Sequence, residues 1–140
     1  MEAKKILTIE NFFSEENEKK GVWHEPVVNG RGCGLEFLLI GMNSEEAQKE
    51  TARVKELSDK IKLEDISDTE KYKKFRELDA EVIAALTKDI RAKNGAELQL
   101  AGKKVDFSRG FAKQLYLLSP DLRELNTEFV LKSSNFIILD

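Results

Sequence analysis

The sequence has one cysteine, Cys33, and one histidine, His24. A lone cysteine cannot close an internal disulfide, so nothing in the sequence points to an oxidising compartment. The same counts exclude zinc sites built from paired cysteines and metal sites built from several histidines of one chain. A Cys33–His24 pair is conceivable near the same hairpin, but lone residues of these types are far more often structural. We therefore expect no metal, no cofactor and no enzymatic activity.

Long apolar runs and a strong net charge are also missing. No run of apolar residues is long enough to span a bilayer. The first ten residues are charged on both sides of a short Ile6-Leu7 pair, unlike a signal peptide. A net charge of -3 and a pI near 5.4 do not attract nucleic acid or anionic lipid. We expect a cytoplasmic protein with no membrane partner.

Apolar residues make up 41% and charged residues 35% of the 140 residues, which fits one domain with solvated helical faces. We assign residues 21–140 to a single α-rich domain and residues 1–20 to an arm or short amphipathic helix. The arm's apolar residues, including Ile6 and Phe12, are expected to dock on the protein's own core more often than on a partner. Its run 15–20 is expected to be solvated.

Two strand-like runs open the domain. Residues 22–27 and 35–40 are separated by a bend rich in Asn and Gly, which predicts a β-hairpin. Pro26 cannot donate to a strand ladder, so the first strand should lie at an edge or end early. The glycines of residues 30–34 indicate a turn and not a phosphate site, because no Gly-Lys-Ser/Thr ending follows them.

Two long helices are predicted next. Ser44 and Ser67 are N-cap residues, and apolar residues follow each at three- and four-residue steps. The short linker favours an antiparallel pair, and Asn94-Gly95 is expected to end the second helix. Paired carboxylates on these helices are better explained as solvated faces than as acid–base groups.

A basic cluster, residues 71–76, interleaves lysines with Tyr72 and Phe75. On a helix these aromatics face the same side, so they are expected to be core. The alternative is a nucleic-acid contact, in which exposed aromatics and basic groups alternate.

The last third contains a second small hairpin, residues 98–107, and two C-terminal helices. Ser108 caps the first helix, and Ser119-Pro120 begins the second. The whole pattern predicts an α+β, mostly helical fold: an N-terminal β-hairpin, an antiparallel helix pair, a second hairpin and C-terminal helices.

Apolar residues at the end of the chain and the single tryptophan are the candidates for partner binding. Tryptophan is favoured both as a core anchor and in interface hot spots. Consecutive apolar residues at a free end are costly if exposed, so they dock on the protein's own core or in a partner's groove. The candidate residues are Trp23, Phe129, Phe136, Ile137, Ile138 and Leu139.

Several segments together resemble tail assembly chaperones of long-tailed bacteriophages. Residues 21–23 read Gly-Val-Trp, and residues 35–46 form a strand followed by a Gly-x-Asn turn into a helix. Residues 100–108 and the helix start at 119–122 are similar to the family's second half. The chain's Asn135-Phe136 is similar to its ending. The resemblance covers most of residues 20–136.

The resemblance implies a mostly helical protein that is present in the host cell cytoplasm during virion assembly. Members of that family coat the tape-measure protein, keep it soluble and recruit tail-tube subunits around it. They are absent from the finished particle and carry no catalytic residues. It implies the tape-measure and tail-tube proteins as partners, alongside a possible homo-oligomer.

Two other functions are compatible with the sequence. A structural virion component, such as a head–tail or tail-completion protein, shares the size and phage origin. A small nucleic-acid-binding regulator would use residues 71–76.

Overall fold

The structure, a computed structural model, describes residues 4–139. About 55% of these residues are helical and 16% lie in strands, which confirms the mostly helical α+β class. The five α-helices of this part of the chain are α1 (Glu15–Lys20), α2 (Glu45–Lys62), α3 (Asp68–Ala85), α4 (Arg109–Leu118) and α5 (Pro120–Leu131). Its strands are β1 (Val22–His24), β2 (Val27–Val28), β3 (Arg31–Gly32), β4 (Leu35–Leu39), β5 (Thr87–Ala92), β6 (Gln99–Leu100) and β7 (Lys103–Lys104). Three 3-10 turns are Ile9–Phe12, Lys93–Gly95 and Ser133–Phe136.

The predicted first hairpin forms, and it belongs to a three-stranded antiparallel sheet in the order β1-β4-β5. The bend between β1 and β4 folds into its own ladder, β2–β3. Asn29 and Gly30 take positive φ values of 52° and 78°, as a two-residue hairpin turn requires. As expected from Pro26, β1 is an edge strand and ends at His24.

The second long helix ends earlier than the sequence predicts. α3 ends at Ala85 and β5 runs from Thr87 to Ala92, so the expected end at Asn94-Gly95 is wrong. β5 pairs antiparallel with β4, far away in the chain. The buried Thr87 hydroxyl donates to the Ile83 carbonyl at 2.7 Å, where the chain leaves the helix. The composition of residues 87–92 is also compatible with a helix, but pairing with β4 makes this segment a strand.

α2 and α3 form the predicted antiparallel pair. Arg53 in α2 bonds Glu81 in the later half of α3 at 3.2 Å. At the other end of the pair, Lys71 Nζ donates to the Lys62 carbonyl at 2.9 Å. The predicted core position of Tyr72 is wrong, since its side chain is 63% exposed. The buried residues of α3 all lie from Leu78 onward, beyond its first turns.

The core lies between the inner face of the sheet and the helices α3, α4 and α5. Its largest fully buried side chains include Phe37, Leu39, Ile40, Ile83, Leu86, Tyr116, Val130 and Phe136. The Tyr116 hydroxyl is hydrogen-bonded to Thr87 Oγ1 at 2.8 Å and accepts from Asn126 Nδ2 at 2.8 Å. Burial raises the pKa of Tyr116 to about 12. The core thus contains a hydrogen-bonded polar chain between β5, α4 and α5.

The second hairpin is confirmed at a smaller size. β6 and β7 pair through Gln99 with Lys104 and Leu100 with Lys103. Ala101 and Gly102 make the turn, with φ values of 53° and 76°. The caps predicted at Ser108 and Ser119 are also present, because each hydroxyl accepts a hydrogen bond from a backbone N–H three residues later.

Candidate protein-binding surface

Trp23 lies on the outer face of the sheet. Its strand neighbours Val22 and His24 oppose the buried Leu39 and Phe37, so Trp23 points to the opposite side. The guanidinium of Arg91 in β5 lies 3.7 Å from the centre of the indole ring. Trp23 is therefore half-buried, and its ring forms a cation–π contact with Arg91.

Phe129 and Phe136, by contrast, belong to an aromatic stack on the inner side. The His24 ring stacks on Phe129 with centroids 3.9 Å apart and an interplanar angle of 19°. Phe129 meets Phe136 edge to face at 5.6 Å. Burial lowers the pKa of His24, and the charge of Glu25 opposes this shift more weakly. Phe136 is fully buried, so its side chain supports the fold in this structure.

The chain beyond Phe136 turns outward. Ile137 is half-buried, whereas Ile138 and Leu139 are 50% and 64% exposed. Leu131, the last residue of α5, is 58% exposed and is separated by Lys132 alone from the 3-10 turn that carries Phe136. The apolar C-terminal run is thus divided between the core and solvent.

Helix α1 packs against this C-terminal turn. Asn17 Nδ2 donates to the Phe136 carbonyl at 2.8 Å. The other side of α1 is anchored on the turn before α2, where the Gly41 N–H donates to the Glu18 carbonyl at 2.8 Å. The Glu18 side chain is buried and accepts from Asn43 Nδ2 at 3.2 Å. The run 15–20, expected to be solvated, is a helix that docks through Asn17 and Glu18, while its other four residues are exposed.

A side chain at residue 41 would overlap Glu18, because a Cβ built on Gly41 meets the Cγ and Oε1 of Glu18. From the sequence, Gly41 is predicted only as part of the turn before a helix. Gly41 has no positive φ, so its lack of a side chain serves the close approach of α1 and not an unusual backbone conformation. The sequence alone does not indicate which segment approaches Gly41.

The arm before α1 is exposed. The 3-10 turn Ile9–Phe12 contains no buried residue. Phe12 and Phe13 are 45% and 62% exposed, and the more distal Ile6 is 90% exposed. The expectation that these apolar residues dock on the protein's own core is therefore wrong in this structure.

The two ends of the described chain leave the domain side by side, because Asn17 bonds Phe136. We use the name terminal apolar surface for the exposed residues next to this junction: Phe12, Phe13, Leu131, Ile138 and Leu139. Each of them lies within five residues of Asn17 or Phe136 in the chain, and exposed apolar residues grouped in this way are candidates for binding another protein.

A charge network on another side of the domain joins three helices. Arg53 bonds Glu50 within α2 at 2.5 Å and reaches Glu81 of α3. From α4, Arg109 reaches Glu50 at 3.1 Å, and Lys113 reaches Glu81 at 3.0 Å. Each carboxylate is thus shared by two cations, which is a structural arrangement that fastens α2 and α4 to α3.

The described residues contain no group of three or more His, Cys, Asp or Glu side chains placed to hold a metal ion. Of the helices between residues 4 and 139, none combines the length and hydropathy that a membrane span requires. Comparisons with protein-family models, curated proteins and solved structures give no match for this chain.

Proposed function

We propose that the protein is a bacteriophage tail assembly chaperone, which binds the tape-measure protein and recruits tail-tube subunits during virion assembly. One observation supports the proposal beyond the sequence resemblance: the residues of the terminal apolar surface are exposed although the domain has a buried hydrophobic core. Such a surface offers a long apolar client the contact that keeps it soluble.

The chemistry of the surface favours an amphipathic helical client. Its side chains are aliphatic and aromatic, and they flank a short helix and a 3-10 turn. A helix presents apolar residues at three- and four-residue steps, and these can contact such a surface while its polar face stays in water. Trp23 and Arg91 add a second surface of the residue types that dominate interface hot spots.

Co-expression with the tape-measure protein of the same phage tests the proposal. We expect a soluble complex with several copies per client, measured by size-exclusion chromatography with light scattering. Replacing both Ile138 and Leu139 by Ser should reduce recovery of the soluble complex roughly tenfold, since two anchors are lost. Both side chains are at least half exposed, so the variant should keep the fold.

Leu63→Ser is the matched control, because Leu63 is 88% exposed in the linker between α2 and α3. It should leave the complex intact. Equal solubility of the client with the Ile138/Leu139 variant and the control would refute the terminal apolar surface as the client site. Recovery of the protein from purified virions would instead favour the structural-component function.

One observation favours the nucleic-acid alternative. Tyr72 is exposed, and the Arg76 guanidinium lies 5.8 Å from its ring centre. However, Lys74 is paired with Glu64 at 2.6 Å, which neutralises part of the cluster. A gel shift at low salt tests this function, because phosphate contacts are strongest there.

A further inference from the structure

The distal half of the N-terminal arm combines two free cations with apolar side chains. Lys4 and Lys5 precede Ile6 and Leu7, which are 90% and 70% exposed, and Ile9 follows at 60%. Within residues 4–139 neither lysine forms an ion pair. This half of the arm thus has an apolar face and positive charge, both directed to solvent.

A groove of the opposite charge lies between the β2–β3 ladder and α5. Its apolar lining is Val27, which is 58% exposed, together with Val28 and Leu125. Three acidic side chains of α5 border it: Asp121, Glu124 and Glu128. They take part in no ion pair among the described residues.

We propose that the groove between β2–β3 and α5 binds the Lys4–Ile9 segment of a second copy of this chain, so that two copies exchange their arms. Ile6, Leu7 and Ile9 provide the apolar contact with the groove. Lys4 and Lys5 lie against the acidic border, where opposite charges fix the direction of the bound segment.

A second copy fits better than the chain's own arm. In the single chain the arm leaves the groove open, and its apolar residues stay in solvent. Exchange between two copies makes two identical contacts related by a twofold axis, and the first contact raises the effective concentration for the second.

The exchange needs no client, so it is tested on the protein alone. Sedimentation equilibrium at low salt should give twice the 16.0 kDa mass of one chain. Because the bordering charges contribute, the dimer should weaken at about 0.5 M salt, where screening is strong. A monomer at all concentrations would overturn the proposal, whatever the outcome for tape-measure binding.

Charge reversal locates the contact. Replacing Lys4 and Lys5 by Glu should raise the dimer dissociation constant roughly tenfold or more, as should replacing Glu124 and Glu128 by Lys, because like charges then face each other. Combining both pairs of changes should restore the dimer dissociation constant to within about threefold of the wild-type value. These side chains are exposed, so the variants keep the fold.

Lys103→Glu with Lys104→Glu is the control, since it makes the same change at two adjacent exposed lysines elsewhere. It should leave the dimer intact. An unchanged dimer dissociation constant in both the arm variant and the groove variant would refute this groove as the contact. Zero-length cross-links between lysines 4–5 and the α5 carboxylates, analysed in a mixture of light and heavy protein, should join different chains. Cross-links confined to one chain would show that the arm occupies its own groove and would refute the exchange.

Discussion

The side chain of Asn17 donates a hydrogen bond of 2.8 Å to the backbone carbonyl of Phe136, and this contact joins the two ends of the described chain. Asn17→Ala removes the donor and leaves the partly buried Phe136 carbonyl without this hydrogen bond. We expect the free energy of unfolding to fall by about 1 kcal/mol, with faster amide exchange in α1. Asn11→Ala is the control, since Asn11 is exposed in the arm. Equal exchange of α1 in both variants would contradict the role of Asn17.

Close packing at Gly41 predicts a large effect from a single methyl group. Gly41→Ala places a Cβ against Glu18 and should destabilise the protein by about 1–3 kcal/mol, measured by urea denaturation. Gly110→Ala is the matched control, because that position in α4 has only Ser108 Oγ at 3.9 Å. It should stabilise the protein by about 0.5–1 kcal/mol, as alanine favours a helix. Combining Gly41→Ala with Glu18→Ala should recover part of the loss.

The buried Tyr116 hydroxyl predicts a dependence of stability on alkaline pH. Its pKa is raised from 10.0 to about 12 in the folded protein. Between these values the unfolded chain releases the proton while the folded chain retains it, so the free energy of unfolding falls by about 1.4 kcal/mol per pH unit. Below pH 10 both states are protonated and the stabilisation is complete.

Tyr116→Phe separates this effect from other groups. At neutral pH the variant should be about 1–2 kcal/mol less stable, since Asn126 Nδ2 loses its acceptor. The gap between wild type and variant should close between pH 10 and 12, as followed by chemical denaturation at each pH. A gap that stays constant over this range would contradict the buried tyrosine. Tyr72→Phe, at an exposed position, should show little change at neutral pH.

The stack of His24 on Phe129 predicts a dependence on mildly acidic pH. Burial lowers the pKa of His24 below 6.5. As pH falls below 6.5, the unfolded chain binds a proton that the folded chain resists, so the free energy of unfolding decreases. His24 is the chain's single histidine, so its NMR titration is read without overlap and should have a midpoint below 6.5. Phe129→Ala uncovers one face of the imidazole and should move that midpoint towards 6.5, and an unchanged midpoint would contradict burial against Phe129 as the cause of the lowered pKa.

The elements that the sequence by itself determined are those set by neighbouring residues. Ser44 and Ser67 accept hydrogen bonds from N–H groups three residues later, so each helix start is encoded within four residues. The Asn29-Gly30 turn is likewise local, because these two residues tolerate positive φ. The mostly helical α+β class followed from these starts and from the apolar periodicity between them.

Tertiary structure alone decided the features that depend on which distant segments meet. β5 is a strand because β4 is there to pair with it, although residues 87–92 also suit a helix. The charged run 15–20 became a docked helix because Gly41 leaves room for Glu18. The same long-range packing divided the C-terminal apolar run, burying Phe136 against Phe129 and leaving Leu139 in solvent. Apolar character in a sequence shows that a residue gains from burial, but only the fold determines which residues find a partner within the chain.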